Sequence, residues 1–129
     1  MTQRSPLSKG EQEVVYALWE IGPAGVRDIH QLLSRTREID FSTVQTYLRR
    51  LETKGYATST KEGRIRIYAA RAKQSTVIRQ TVNDFVDRLF GGETMPLVKH
   101  LIEDRGIDEA QIAELRELIE RLEQKGKPE

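Results

Sequence analysis

The chain has 129 residues, enough for one ordinary domain or for a small domain with an oligomerisation arm. Charged residues make up 32% of it, cysteine is absent, and no run of about 18 apolar residues occurs. These features exclude a transmembrane helix, disulfides, thiolate metal sites and cysteine nucleophiles, and they fit a reducing cytoplasm. The net charge of +1 hides an asymmetry. Residues 1–72 carry 12 Lys/Arg against 8 Asp/Glu, residues 73–129 carry 9 against 12, and residues 42–72 alone carry 7 against 2. A basic segment joined to an acidic one points to a polyanion-binding module followed by a part that does not touch the polyanion.

The opening Met1-Thr-Gln-Arg-Ser-Pro6 has no apolar stretch, so no signal peptide is expected. Ser8-Lys-Gly-Glu11 has capping-box spacing and predicts the start of a first helix. Val14, Val15, Leu18, Trp19 and Ile21 recur at helical spacing until Gly22-Pro23 stops it. Val26, Ile29, Leu32 and Leu33 mark a short second helix. A third is expected from a second capping box, Ser42-Thr-Val-Gln45, with Gly55 at a left-handed C-terminal cap. Two β-prone runs follow, Tyr56–Lys61 and Arg64–Tyr68, and the Glu62-Gly63 between them reads as a hairpin turn.

After Ala72 the pattern is helical throughout. Val77, Ile78, Val82, Phe85, Val86, Leu89 and Phe90 define a long helix ending at Gly91-Gly92. Thr94 is placed to cap a helix that carries Pro96 in its first turn and Leu97, Val98, Leu101 and Ile102 as its stripe. Asp108 and Gln111 stand at capping-box distance at the start of the last helix, and the tail from Gln124 is expected to fray. Ile112, Leu115, Ile119 and Leu122 follow the 3-4-3 spacing of a coiled-coil seam. The expected architecture is therefore mainly α with a small β-hairpin. Residues 1–72 form a winged helix-turn-helix DNA-binding domain, and residues 73–129 a helical dimerisation domain.

On a helical wheel of the third helix, at about 100° per residue, Val44, Leu48 and Leu51 share one side with Tyr47 near them. Thr46, Arg49, Arg50 and Thr53 share the other, with Thr43 at its edge, and this outer side has no carboxylate. Hydroxyls, guanidiniums and an amide suit a major groove, where Arg pairs with guanine, Gln with adenine, and a Thr methyl meets thymine. A solvated helix face would look similar taken alone. The basic hairpin that follows favours the groove reading, since a tri-helical unit with such a hairpin is the winged helix-turn-helix arrangement. Lys61, Arg64 and Arg66 are then phosphate contacts, with Arg64 and Arg66 on one side of their strand.

Several strings together resemble one family. They are Leu7-Ser-Lys-Gly-Glu11 with Ala17-Leu-Trp19, Val26-Arg-Asp-Ile29, Ser42 through Gly55, Tyr68, and Phe85-Val-Asp-Arg-Leu-Phe-Gly-Gly92 with Leu97-Val98. From about Leu7 to Leu122 the chain is similar to the BlaI/MecI penicillinase repressors. The resemblance implies a transcriptional repressor that binds a palindromic double-stranded DNA operator as a homodimer, with no enzymatic activity and no cofactor or metal. The family's base-reading positions fall on Thr43, Gln45, Thr46 and Arg50, joined by Arg49 from the wheel. A basic residue is frequent where Gln45 stands. Candidate phosphate contacts are Ser8, Lys9, Ser42, Lys54, Lys61, Arg64 and Arg66. The candidate dimer surface comprises Val82, Phe85, Leu89, Phe90, Leu97, Leu101, Ile112, Leu115, Ile119 and Leu122. Induction in the best-known members is cleavage by a membrane-bound sensor protease, at a bond that falls here on His100-Leu101 in place of Asn and an aromatic residue.

Three other classes fit less well. An enzyme has little support, because His30 and His100 are the only histidines and lie in different predicted elements. A helical protein–protein interaction module could use the 112–122 seam, but it has no need of the basic 42–72 segment. A ligand-responsive winged-helix regulator of another family would want a polar-lined dimer cavity, whereas the C-terminal stripes are Val, Ile, Leu and Phe.

Overall fold

The computed structural model describes residues 4–126. Residues 1–3, part of the stretch read for a signal peptide, and residues 127–129, part of the tail expected to fray, lie outside the described residues. The elements in order are α1 (Lys9–Ile21), β1 (Ala24–Gly25), α2 (Val26–Leu33), α3 (Phe41–Thr53), β2 (Ala57–Glu62), β3 (Ile65–Ala70), α4 (Gln74–Leu89), α5 (Met95–His100), a π-helical turn (Leu101–Arg105) and α6 (Glu109–Gly126). The chain forms two compact units, Met1–Val82 and Asn83–Glu129, with α4 shared between them.

In the first unit, α1 starts where its capping box predicts. Ser8 Oγ accepts from the Glu11 N–H at 3.3 Å, and Glu11 Oε1 accepts from the Ser8 N–H at 2.8 Å. The apolar stripe of α1 then meets α2 and α3 in one core. Val14, Val15, Leu18, Ile29, Val44, Leu48 and Leu51 are all buried there, with Tyr56, Tyr68, Ala72 and Val77 closing its edges. The Trp19 indole N–H donates to the Ala72 carbonyl at 2.9 Å, tying the exit of β3 to α1. Gly10 is buried, and a Cβ there would lie within 3.0 Å of the outer end of the Tyr47 ring, so the ring holds its present place against α1 because residue 10 has no side chain.

Three details differ from the sequence expectation. The Gly22–Gly25 connection is more than a tight turn, since Ala24 and Gly25 form a short strand paired antiparallel with Tyr68 and Ile67. The sheet is therefore three-stranded, in the order β1-β3-β2. Secondly, α3 begins at Phe41, with Asp40 as its N-cap, and the Ser42/Gln45 capping box does not form. Thr43 and Val44 donate instead to the Asp40 carbonyl, each at 3.1 Å. The cause is tertiary. His30 Nε2 lies 2.7 Å from the Ile39 carbonyl and its ring meets Phe41 edge-on at 5.7 Å, which fixes the chain direction before Ser42 is reached. Ser42 thus falls inside the first turn, out of capping position. Thirdly, the hairpin turn is Gly63-Arg64, because Glu62 pairs with Ile65. Gly63 has φ +63°, which suits the first central position of a type II′ turn. The other end of α3 is as expected. Gly55 has φ +87°, and Tyr56 N–H to Leu51 O (2.8 Å) with Gly55 N–H to Glu52 O (3.1 Å) make a Schellman cap.

In the second unit, the Phe85 and Phe90 rings pack edge-on at 5.8 Å, and Gly91 and Gly92, at φ +60° and +85°, end the α4 run. Thr94 precedes α5 without a side-chain cap, because it already has helical dihedrals. The expected single helix over 94–105 is α5 followed by the π turn, stopped by Gly106 at φ +76°. The α6 capping box forms as predicted, with Asp108 and Gln111 bonded reciprocally at 2.9 and 3.0 Å. No helix among the described residues is long and apolar enough to cross a membrane.

Candidate nucleic-acid interface

The core holds α3 by Val44, Leu48 and Leu51, each at 0% exposure, which turns the opposite side outward. Gln45, Arg49, Arg50 and Thr53 are exposed there, and Thr43 and Thr46 are half-buried. The Thr46 hydroxyl donates to the Ser42 carbonyl and that of Thr53 to the Arg49 carbonyl, both at 3.0 Å. Their protons are used within the helix, so each Thr offers a base an acceptor oxygen or a methyl rather than a donor. Donation from this face falls to Arg49, Arg50 and the Gln45 amide.

The hairpin is attached along the Gln45/Glu52 edge of α3. Glu52 Oε2 accepts from Ser59 Oγ at 2.7 Å, and Ser59 Oγ accepts from Arg66 Nη1 at 3.0 Å. The Glu52 carboxylate, which borders the reading face, is thereby bound into a relay that fixes the hairpin to the helix. Lys61 and Arg66 stand directly opposite each other across β2 and β3. They lie on the same sheet face as Ser59 and Tyr68. Arg64 does not share that face by alternation, since it sits in the exposed turn at the hairpin tip.

The start of α1 is attached along the other edge, through Tyr47 over Gly10 and through Lys54. Lys54 Nζ lies 2.6 Å from Glu11 Oε1 and 2.9 Å from the Pro6 carbonyl. The Glu11 carboxyl is almost wholly buried, at 1% exposure. Burial pushes its pKa up, but the Lys54 and Ser8 hydrogen bonds and the Lys54 charge outweigh this and hold it below the ordinary carboxylate value. Ser8 gives its N–H to the capping box and its Oγ accepts there, while Lys9 is exposed. The reading face thus lies between two flanks, with Ser8 and Lys9 on one and the hairpin cations on the other. The contacts of Glu11, Glu52, Ser59 and His30 that orient this helix have no local signal in the sequence beyond the Glu11 capping box, which accounts for that residue within α1 alone.

The candidate dimer residues lie outside the first unit's core. Val82, Phe85, Leu89, Leu101, Ile119 and Leu122 are between 44% and 69% exposed, and Ile112 is 36% exposed. Phe90, Leu97 and Leu115 are half-buried. None of α6 is buried among the described residues. The His100-Leu101 bond falls where α5 passes into the π turn, with both residues exposed and His100 Nε2 2.9 Å from Asp104 Oδ2. A protease would reach this helical backbone only after the turn opens locally.

The chain is similar to known proteins in sequence and in fold. The penicillinase repressor family model matches residues 7–121. The penicillinase repressor of Bacillus licheniformis is 28% identical over 114 residues, which is 88% of this chain and 89% of that protein. The methicillin resistance regulatory protein MecI of Staphylococcus aureus (strain N315) is 24% identical over 113 residues, covering 88% and 92%. Among solved structures, the DNA-binding domain of the repressor BlaI superposes with a TM-score of 0.52 at 31% identity, over 58% of this chain and 92% of that one. BpsR of Bordetella bronchiseptica shares the fold at 16% identity, with a TM-score of 0.52 over 93% of this chain and 77% of that one. The family consists of transcriptional repressors and not of enzymes. This mainly helical chain, with its three-stranded wing, belongs to the penicillinase repressor family.

Proposed function

We propose that the chain is a sequence-specific DNA-binding repressor that occupies an inverted-repeat operator as a homodimer. The observation that carries this reading is the outer side of α3. It is free of unbound carboxylates, rich in Arg and Thr, and flanked by the α1 start and the basic hairpin. A helix so presented enters a major groove, while its two flanks meet the phosphates on either side. Arg49, Arg50 and Gln45 supply the donors to base edges, with Thr43 and Thr46 as apolar or acceptor contacts. Lys9, Lys61, Arg64 and Arg66 neutralise phosphates. The exposed apolar seams of residues 73–129 bury one another in the dimer, which sets the spacing of two α3 helices and hence of two half-sites.

Two substitutions separate reading from positioning on the backbone. Arg50→Ala costs about 1–3 kcal/mol on the preferred duplex and relaxes base preference at one position of each half-site. Arg64→Ala weakens all duplexes alike and lowers the slope of log Kobs against log salt by about 0.9 for each phosphate it no longer neutralises. Filter-binding or anisotropy titrations over a salt series measure both. Identical behaviour of the two variants would contradict the groove assignment.

A further inference from the structure

We infer that Lys54 is a positioning residue rather than a phosphate ligand. With the buried Glu11 it forms a clasp that sets how α3 is presented, an inference resting on the DNA-binding reading above. Lys54 is the C-cap of α3, and the Glu11 carboxyl sits in the first turn of α1. Their 2.6 Å contact spans 43 residues of sequence and joins the end of the reading helix to the start of the first helix. Glu11 Oε1 also holds the Ser8 N–H, so this one oxygen ties the α1 cap and the α3 cap together.

The segment before Ser8 reinforces the same junction. Lys54 Nζ donates to the Pro6 carbonyl at 2.9 Å, Tyr56 Oη to the Ser5 carbonyl at 2.6 Å, and Arg4 Nε to the Gly55 carbonyl at 2.9 Å. Residues 4–6 thus lie as a strap over the C-terminal cap of α3, fastened at three successive residues. The Lys54 side chain retains only 26% exposure. Two of its three N–H bonds are spent, and withdrawing it toward a phosphate would leave a carboxylate buried without its counter-charge. A basic residue at the end of a recognition helix therefore contributes orientation here, not phosphate neutralisation.

The test uses the full-length chain, the duplex it selects from a random pool, and a scrambled duplex of the same length. Lys54→Met keeps the aliphatic stem and removes the charge. Glu11→Gln keeps an acceptor oxygen for Ser8 and removes the other charge. Both are compared with the parent chain at a temperature where their circular dichroism is native. If Lys54→Met fails to fold, Glu11→Gln carries the comparison. The expected result for each variant is a roughly tenfold loss of affinity for the selected duplex. The scrambled duplex should be little affected and the salt slope unchanged. The double variant should be no weaker than the weaker single. A salt slope reduced by about one unit in Lys54→Met would overturn the inference, because it would mean that Lys54 neutralises a phosphate in the parent complex. Equal weakening of both duplexes, additive losses, or no loss in Glu11→Gln would overturn it too. Failure of the parent chain to bind any duplex would remove the DNA-binding reading itself, a distinct outcome that takes the positioning role with it.

Discussion

In the homodimer proposed above, Ile119→Asp should separate the two chains while leaving each folded. Ile119 is 48% exposed in the single chain and sits in the middle of the Ile112, Leu115, Ile119, Leu122 series on α6. A carboxylate there meets water in the isolated chain, so it costs the monomer little. In a symmetric seam two copies are buried, each desolvated without a partner, at about 3–5 kcal/mol apiece. Even the lower figure weakens dimerisation by about 10⁴-fold. Operator affinity should fall with it, since each half-site is then bound alone. Leu115 is a less selective choice, because it also lines a groove with Val98, Leu101 and Ile102 inside its own unit. Equilibrium sedimentation at micromolar concentration measures the outcome. An Ile119→Asp chain that remained dimeric would place the interface elsewhere.

Gly10→Val should be the most damaging substitution for the stability of the first unit among exchanges that add only apolar atoms. The new Cβ would itself overlap the Tyr47 ring, so no choice of side-chain rotamer relieves the contact. Either Tyr47 leaves its place or α1 moves off α3, and both disturb the Lys54 junction beside them. Overpacking of this kind costs about 2–3 kcal/mol, which in a unit of this size lowers Tm by roughly 10–20 °C. The cause can be isolated. Gly10→Ala in a Tyr47→Ala background meets no ring, and alanine is the better helix former by about 1 kcal/mol, so the pair should melt no lower than Tyr47→Ala alone. An unchanged Tm in Gly10→Val would contradict the close packing of α1 on α3.

How much of this was legible in the sequence depended on the range of the interactions concerned. The capping boxes at Ser8/Glu11 and Asp108/Gln111 form as their spacing predicts, because their partners are three residues apart, and the distant Lys54 shares Glu11 Oε1 with the Ser8 N–H rather than displacing it. The Ser42/Gln45 box has the same spacing and does not form, because His30, from the previous helix, decides where α3 begins. The apolar periodicity placed Val44, Leu48 and Leu51 inward and therefore gave the outer side of α3 correctly. It could not show β1, whose two residues carry no period and exist as a strand only through pairing with β3. Nor could it show the π turn after α5, where the apolar stripe runs on as if the helix were regular. The basic residues divide in the same way. Counting charge located the basic segment, but which cations are spent inside the protein depends on partners far away in the chain. Lys54 is paired with the Glu11 carboxylate, whereas Arg66 gives one N–H to the Ser59 hydroxyl and keeps its charge for a phosphate, and neither bond has a local signature.

The central claim is that the outer side of α3 reads DNA in a two-fold arrangement. Selection of duplexes from a random pool by the purified chain, followed by titration of the enriched sequence over a salt series, tests it most directly. The account predicts enrichment of an inverted repeat whose half-sites are spaced by about one turn of duplex, or a multiple of it. It also predicts binding that weakens steeply as salt rises. Enrichment of no sequence, or binding to duplex that does not respond to salt, would contradict it.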